Sequence, residues 1–134
     1  RAAFRGDAPE LLKIAGTDLS NIRSGALAQS IKAGDVAVEK ITRRAADMIG
    51  LAVGNVCNLL APDVIVLGGG LVEALPKWFV DTIEASARDH AMPSLAKALK
   101  IVAARLGDDA NVLGAAAWAE ANVNGSCPAV VAPE

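Results

Sequence analysis

Val64-Ile65-Val66-Leu67-Gly68-Gly69-Gly70 is the stretch that decides the fold class. An unbroken aliphatic run without polar alternation suits a strand covered on both faces. It enters three consecutive glycines with no intervening residue, and Pro76 then opens a helix whose Trp78, Phe79, Ile83 and Ala87 share a face. Pro93 lies beyond the end of that helix, and Lys100-Ile101-Val102-Ala103-Ala104 reads as a second strand. Asp108 or Asp109 can cap a final helix running through Val112, Leu113, Ala116 and Trp118. Strand, glycine turn, helix and strand make a βαβ unit with a right-handed crossover, and the last helix extends it to βαβα. Two strands do not make a self-sufficient parallel sheet, so further strands are expected from a larger protein or from a partner.

Upstream of the first strand the pattern is helical. Asp7 can cap a short helix with Pro9 in its first turn and Gly16 just past its end. Ser24 can open a second helix through Leu27 and Ile31 to Gly34. Asp35 can then cap a long third helix, which Pro62 stops. Its apolar positions, Val38, Ile41, Ala45, Met48, Ile49, Ala52, Val53, Val56, Cys57 and Leu60, follow a 3.6-residue period. From Gly50 to Leu60 the polar face vanishes, and burial nearly all round is expected. Gly50 and Gly54 lie four apart on this helix; close approach by another backbone within the subunit is the favoured reading, a dimer contact the other. The fold class is therefore α/β and predominantly helical.

Composition narrows the function. The chain has 134 residues, 53% hydrophobic and 21% charged, which is one domain's length with ample core material. A net charge of −2 gives no general pull toward phosphate backbones or anionic lipid, and 3% aromatic content makes a base-stacking platform improbable. Two cysteines, Cys57 and Cys127, make neither a disulfide framework nor a zinc cluster, and Cys57 reads as a small core hydrophobe. No apolar signal core follows Arg1, and the uncharged run from Met48 to Ala61 is shorter than a membrane span, so a cytoplasmic, membrane-free protein is expected. A first residue other than Met points to a fragment or a processed product. Asn124-Gly125-Ser126 reads as a turn, and a frayed tail is expected over 123–134.

The three glycines are the one local feature with a chemical mechanism. A strand running into Gly68-Gly69-Gly70 and then a helix lets bare backbone approach a ligand at the strand's carboxyl end. Bound nucleotide and a tight structural turn both account for it. No Gly-Lys-Ser/Thr follows, so it is not a Walker loop. Glu73 stands where a dinucleotide fingerprint needs glycine or alanine, and Arg105 where it needs an acid. His90, the single histidine, lacks partners for a zinc site and reads as structural near a helix end. Asp108-Asp109 reads as a capping pair rather than an acid/base pair. No catalytic residue and no metal ligand set is found.

Beyond these physical readings, Asn58-Leu59-Leu60-Ala61-Pro62-Asp63 leading into Val64–Gly70 resembles a signature segment of the ROK family, the bacterial repressors and sugar kinases. Leu106-Gly107-Asp108-Asp109-Ala110-Asn111-Val112-Leu113-Gly114-Ala115-Ala116 is similar to that family's C-terminal segment, and Ala33-Gly34-Asp35 to one just upstream of the long helix. One departure is Asn111, where the family often has glycine. The likeness runs in order from about Ser24 to Ala119, and Gly70-Leu71-Val72-Glu73-Ala74-Leu75-Pro76 looks most like bacterial glucokinases.

The resemblance implies an actin-like, hexokinase-type ATPase fold (ribonuclease H-like) with two lobes, of which residues 1–122 would be a C-terminal portion. It implies a homodimer, with sugar and ATP with magnesium as ligands. Gly68, Gly69, Gly70 and Leu71 would line the adenosine pocket, and the helix bearing Gly114-Ala115-Ala116 would connect the lobes. The family's phosphate loop, catalytic aspartate, sugar contacts and His/Cys structural zinc site would all lie upstream. The implied activity is an ATP-dependent hexose kinase, glucokinase-like, acting on the sugar 6-hydroxyl. The alternatives are a sugar-responsive transcriptional repressor of the same family, which alone would bring nucleic acid as a partner, and a non-catalytic oligomerisation fragment.

Overall fold

A computed structural model of the chain describes residues 3–124. The chain divides into two compact units, Arg1–Ala104 and Arg105–Glu134. The first carries helices α1 (Pro9–Ala15), α2 (Ser24–Lys32) and α3 (Val36–Leu60), strand β1 (Val64–Leu67), helices α4 (Gly70–Ala74), α5 (Pro76–His90) and α6 (Pro93–Ala98), and strand β2 (Lys100–Ala103). The second carries a 3-10 turn at Gly107–Asp109 that leads into α7 (Ala110–Asn124). The expected strand–helix–strand order is present, with α4 and α6 as additional short helices around the predicted α5. Pro93, read as a helix stop, also starts α6, where its missing N–H costs nothing.

β1 and β2 pair in parallel, with Ile65 opposite Ile101 and Leu67 opposite Ala103. These four side chains face the main core, where Ile101 is buried and the other three pack against the buried cluster. The centre of that core is α5: Phe79, Val80, Ile83 and Ala87 meet Ala46, Val53 and Cys57 of α3, Val72 of α4 and Ile101 of β2. The face of α5 expected from the sequence is the buried one, except that Trp78 is half-buried at its margin. A smaller core joins Leu11 and Ala15 of α1 to Val38 of α3.

The buried face of α3 differs from the expected one. Val38, Val53 and Cys57 are inside, but the rest of the buried face is Thr42, Ala46, Gly50 and Gly54. Ile41, Ala45, Met48, Ile49, Ala52, Val56 and Leu60 are exposed. The cause is the closeness of α5. A Cβ on Gly50 would lie 2.5 Å from Ser86 Cβ and 2.7 Å from the Ile83 carbonyl oxygen; one on Gly54 would lie 2.8 Å from His90 Cβ. Small residues are what such an approach selects, so the two glycines serve packing within the subunit. The expected all-round burial of the end of α3 is likewise not met, since Leu59 is 81% exposed. Nor is β1 covered on both faces: Val64 and Val66 point away from the helices and are exposed. A single helical layer, with α5 at its centre, covers one face of the pair.

Helix ends also depart from expectation. Ser24 opens α2 as expected, with Arg23 at the N-cap position, but the caps of α1 and α3 differ. At α1 the N-cap position is Ala8, without a side-chain cap of its own; the capping group is Asp35 instead of the nearby Asp7. Asp35 does occupy the N-cap position of α3, but its carboxylate is spent on α1 and makes no cap bond to α3. Ala61, in the left-handed conformation at φ 46°, turns the chain out of α3 just before Pro62. Cys57 is 1% exposed, as a small core hydrophobe. α7 continues to Asn124, past the expected boundary at Asn122. The remainder of the expected tail, Cys127, the Gly125-Ser126 part of the turn and the side chain of Asp108 lie outside the described residues. Among the described residues no helix is long and apolar enough to cross a membrane.

Side chains of α3 and α5 fix the approach to β2. Asn58 donates through Nδ2 to the His90 carbonyl (2.9 Å) and accepts through Oδ1 from the Met92 amide (2.7 Å). Arg88 is paired with Glu84 and donates to the carbonyls of Ala96 and Leu99, the latter at 2.9 Å.

Candidate functional site

The glycine turn sits at the carboxyl end of β1. Pairing continues one residue past β2, where the Ala104 amide donates to the Leu67 carbonyl at 2.7 Å. The next three residues, Gly68, Gly69 and Gly70, are exposed backbone, and Leu71 is half-buried against the core. α4 starts at once: the Glu73 amide donates to the Gly69 carbonyl at 3.1 Å, and Leu75 to Leu71 at 3.0 Å. Buried Val72 anchors this short helix in the core.

Two of the three glycines answer a structural demand, and the two demands differ. Gly69 has φ +105°, a conformation side-chain-bearing residues avoid, yet no heavy atom lies within 4 Å of where its Cβ would be. Space is open there; the backbone angle is what needs glycine. At Gly70 the angle is ordinary but Ser24 of α2 crowds the Cβ position. A Cβ on Gly68 would be in ordinary contact with Ala104, 3.6 Å away. The four sequence-predicted residues, Gly68 to Leu71, are consecutive at the end of β1: the backbone of Gly69 is unobstructed, and Leu71 packs against the core.

A second polar cluster lies at the start of α3. Gly34, at φ +102°, turns the chain so that Asp35 points inward. Its carboxylate accepts from Ser30 Oγ (2.6 Å) and from the α1 amides of Leu11 (2.6 Å) and Glu10 (3.2 Å). Burial pushes the Asp35 carboxyl up, but the bonds from Ser30, Leu11 and Glu10, with help from Lys13, outweigh it and hold the group below the usual aspartate value. All its acceptor capacity is turned inward, which marks it as structural. The Gly34-Asp35 pair was visible in the sequence; its target, 24 residues back at Leu11, was not.

His90 is the last residue of α5, and its Nδ1 lies 2.7 Å from the Ser86 carbonyl, a bond within the helix. Arg43 stacks over Trp78 at 5.0 Å along an open groove between α3 and α5, which Asp47, Asp81 and Asp89 also line. Among the described residues no three His, Cys, Asp or Glu side chains converge as metal ligands.

Residues 8–122 match the sequence model of the ROK family. The chain belongs to the ROK family. Its curated relatives include a glucokinase of Thermotoga maritima, 28% identical over 99 residues, covering 74% of this chain and 31% of the relative. An N-acetyl-D-glucosamine kinase of Pasteurella multocida is 36% identical over 98 residues, covering 69% of this chain and 29% of the relative. The chain spans about a third of the length of the curated relatives it matches. In three dimensions the crystal structure of a candidate sugar kinase from Cytophaga hutchinsonii superposes with a TM-score of 0.64 at 20% identity, over 87% of this chain and 41% of that one. This ROK chain therefore has a helix-rich α/β fold found in a larger protein.

Proposed function

We propose that this chain is the C-terminal lobe portion of an ATP-dependent hexose kinase, glucokinase-like, with an actin-like, ribonuclease H-type ATPase fold. In this reading Gly68, Gly69, Gly70 and Leu71 form the wall against adenosine. The observation that carries it is the exposed backbone at Gly69: its φ of +105° and its open surroundings leave room for a flat ligand where a side chain would stand. The names of the curated relatives support the reaction class. Magnesium would travel with the ATP phosphates and neutralise charge there. The chain's own part is to bind and orient the nucleotide. The base that takes the proton of the sugar 6-hydroxyl would come from outside residues 1–134, across a cleft.

The test is Gly69→Val in the full-length protein, followed by calorimetric titration with ATP and, separately, with glucose and N-acetylglucosamine. A side chain there would fill the ligand's space and strain the turn. ATP affinity is expected to fall by about tenfold or more, with sugar affinity unchanged. Unchanged ATP affinity in a folded variant would leave the glycines as a structural turn.

A further inference from the structure

Gly70 opens α4, and the space of its absent side chain is taken by Ser24, the first residue of α2. An atom at the Cβ position of Gly70 would lie 2.6 Å from Ser24 Oγ and 3.2 Å from Ser24 Cβ. Both partners of this contact are anchored. Ala28, one turn along α2, and Val72, two residues into α4, belong to the same buried core. Neither helix can draw back without opening that core, which interiors packed to crystal-like density resist. By contrast Gly69, the preceding residue, has open space at its Cβ position.

We propose that Ser24 is a positioning residue for the glycine turn: it braces the first residue of α4 and so sets where the exposed backbone of Gly68 and Gly69 stands. The proposal rests on the nucleotide reading above. On that basis Gly70 is glycine because of Ser24, whereas Gly69 is glycine because of its backbone angle and its ligand. The two requirements are separable by experiment.

In the full-length protein, Gly70→Ala should turn Ser24 Oγ to another rotamer and still press on Ser24 Cβ at 3.2 Å, shifting the turn and weakening ATP binding several-fold. Hexose binding should not change. Adding Ser24→Ala removes the atom at 2.6 Å but keeps the one at 3.2 Å, so recovery should be partial. Adding Ser24→Gly removes both, and ATP affinity should return to near wild type. Ser24→Gly alone removes the brace and leaves its place empty, so ATP binding should weaken several-fold with hexose binding unchanged; unchanged ATP affinity in this variant would also overturn the brace. Calorimetric titration of each variant, with thermal melts alongside, reads all of these. Unchanged ATP affinity in Gly70→Ala, or failure of Ser24→Gly to restore it, overturns the brace. If Gly70→Ala does not fold, a folded double variant with wild-type ATP affinity supports the brace and an unfolded one overturns it. Loss of ATP binding in Gly69→Val without rescue at Gly70 would sink the brace alone; no loss at Gly69 would sink the nucleotide reading with it.

Discussion

Asp35 is the residue on which the N-terminal helices depend. It is 4% exposed and holds the amide end of α1 and the Ser30 hydroxyl on one carboxylate. Asp35→Asn would keep the volume but lose the charge and one acceptor, and should cost about 1–3 kcal/mol at neutral pH. The pH dependence has a defined sign. The folded group titrates below its unfolded value, so its contribution is full above the ordinary aspartate pKa of about 3.9 and is lost as pH falls through the lower folded one. Urea midpoints from neutral pH into the acid range should show wild type losing its advantage over Asp35→Asn below that point. Parallel curves would show that the carboxylate is not the group responsible. Asn58 illustrates a related economy: it donates to one backbone group and accepts from another, so aspartate, which only accepts when ionised, would serve half its role.

At the scale of elements, α3 shows which part of the sequence was readable. Its extent was, because Gly34-Asp35 and Pro62 bracket it and nothing inside breaks a helix. Its buried face was not, because the strongest apolar stripe, Ile41, Met48 and Val56, lies on the exposed side. Periodicity records which residues can be buried; the neighbour's distance decides which are. The parallel pairing of β1 with β2 was readable from order alone, whereas α4 was hidden in the five residues from the last glycine to Ala74. The glycine turn was legible as a site through its residue type, but Ser24 was not, being brought to it only by tertiary packing. Gly50→Ala tests the closeness of α3 to α5. The added Cβ would collide with Ser86 Cβ and the backbone at Ile83, so a loss of about 1–3 kcal/mol is expected despite alanine's higher helix propensity. Gly25→Ala in α2, where nothing lies within 4 Å, is the control and should leave the melting temperature near wild type.

For the whole chain, the exposed apolar side chains carry the consequence. Ile41, Met48, Val56 and Leu59 of α3 and Val64, Val66 and Val102 of the strands face solvent together with both outer strand edges. Such surfaces mark contact sites or association. Light scattering on the 134-residue chain should show self-association; a monodisperse monomer that binds no hydrophobic dye would contradict this. In the full-length protein we expect the same helices to take part in a homodimer. The isolated chain should also turn over no ATP in the presence of magnesium and glucose, because phosphoryl transfer needs groups from two sides of a cleft. ADP release above a blank preparation would show that a base resides here after all.

Asn58 and Arg88 bear on how such a sheet could grow. Asn58 grips the turn after α5, and Arg88 grips the carbonyls of Ala96 and Leu99, so the segment entering β2 is held from the helical side. A slip of one residue would turn Ile101 to solvent, and these grips oppose it independently of the strand hydrogen bonds. The phase of the pair is thus set outside the sheet. A strand arriving at the outer edge meets an aligned seed, and its own register follows from the template instead of from a search.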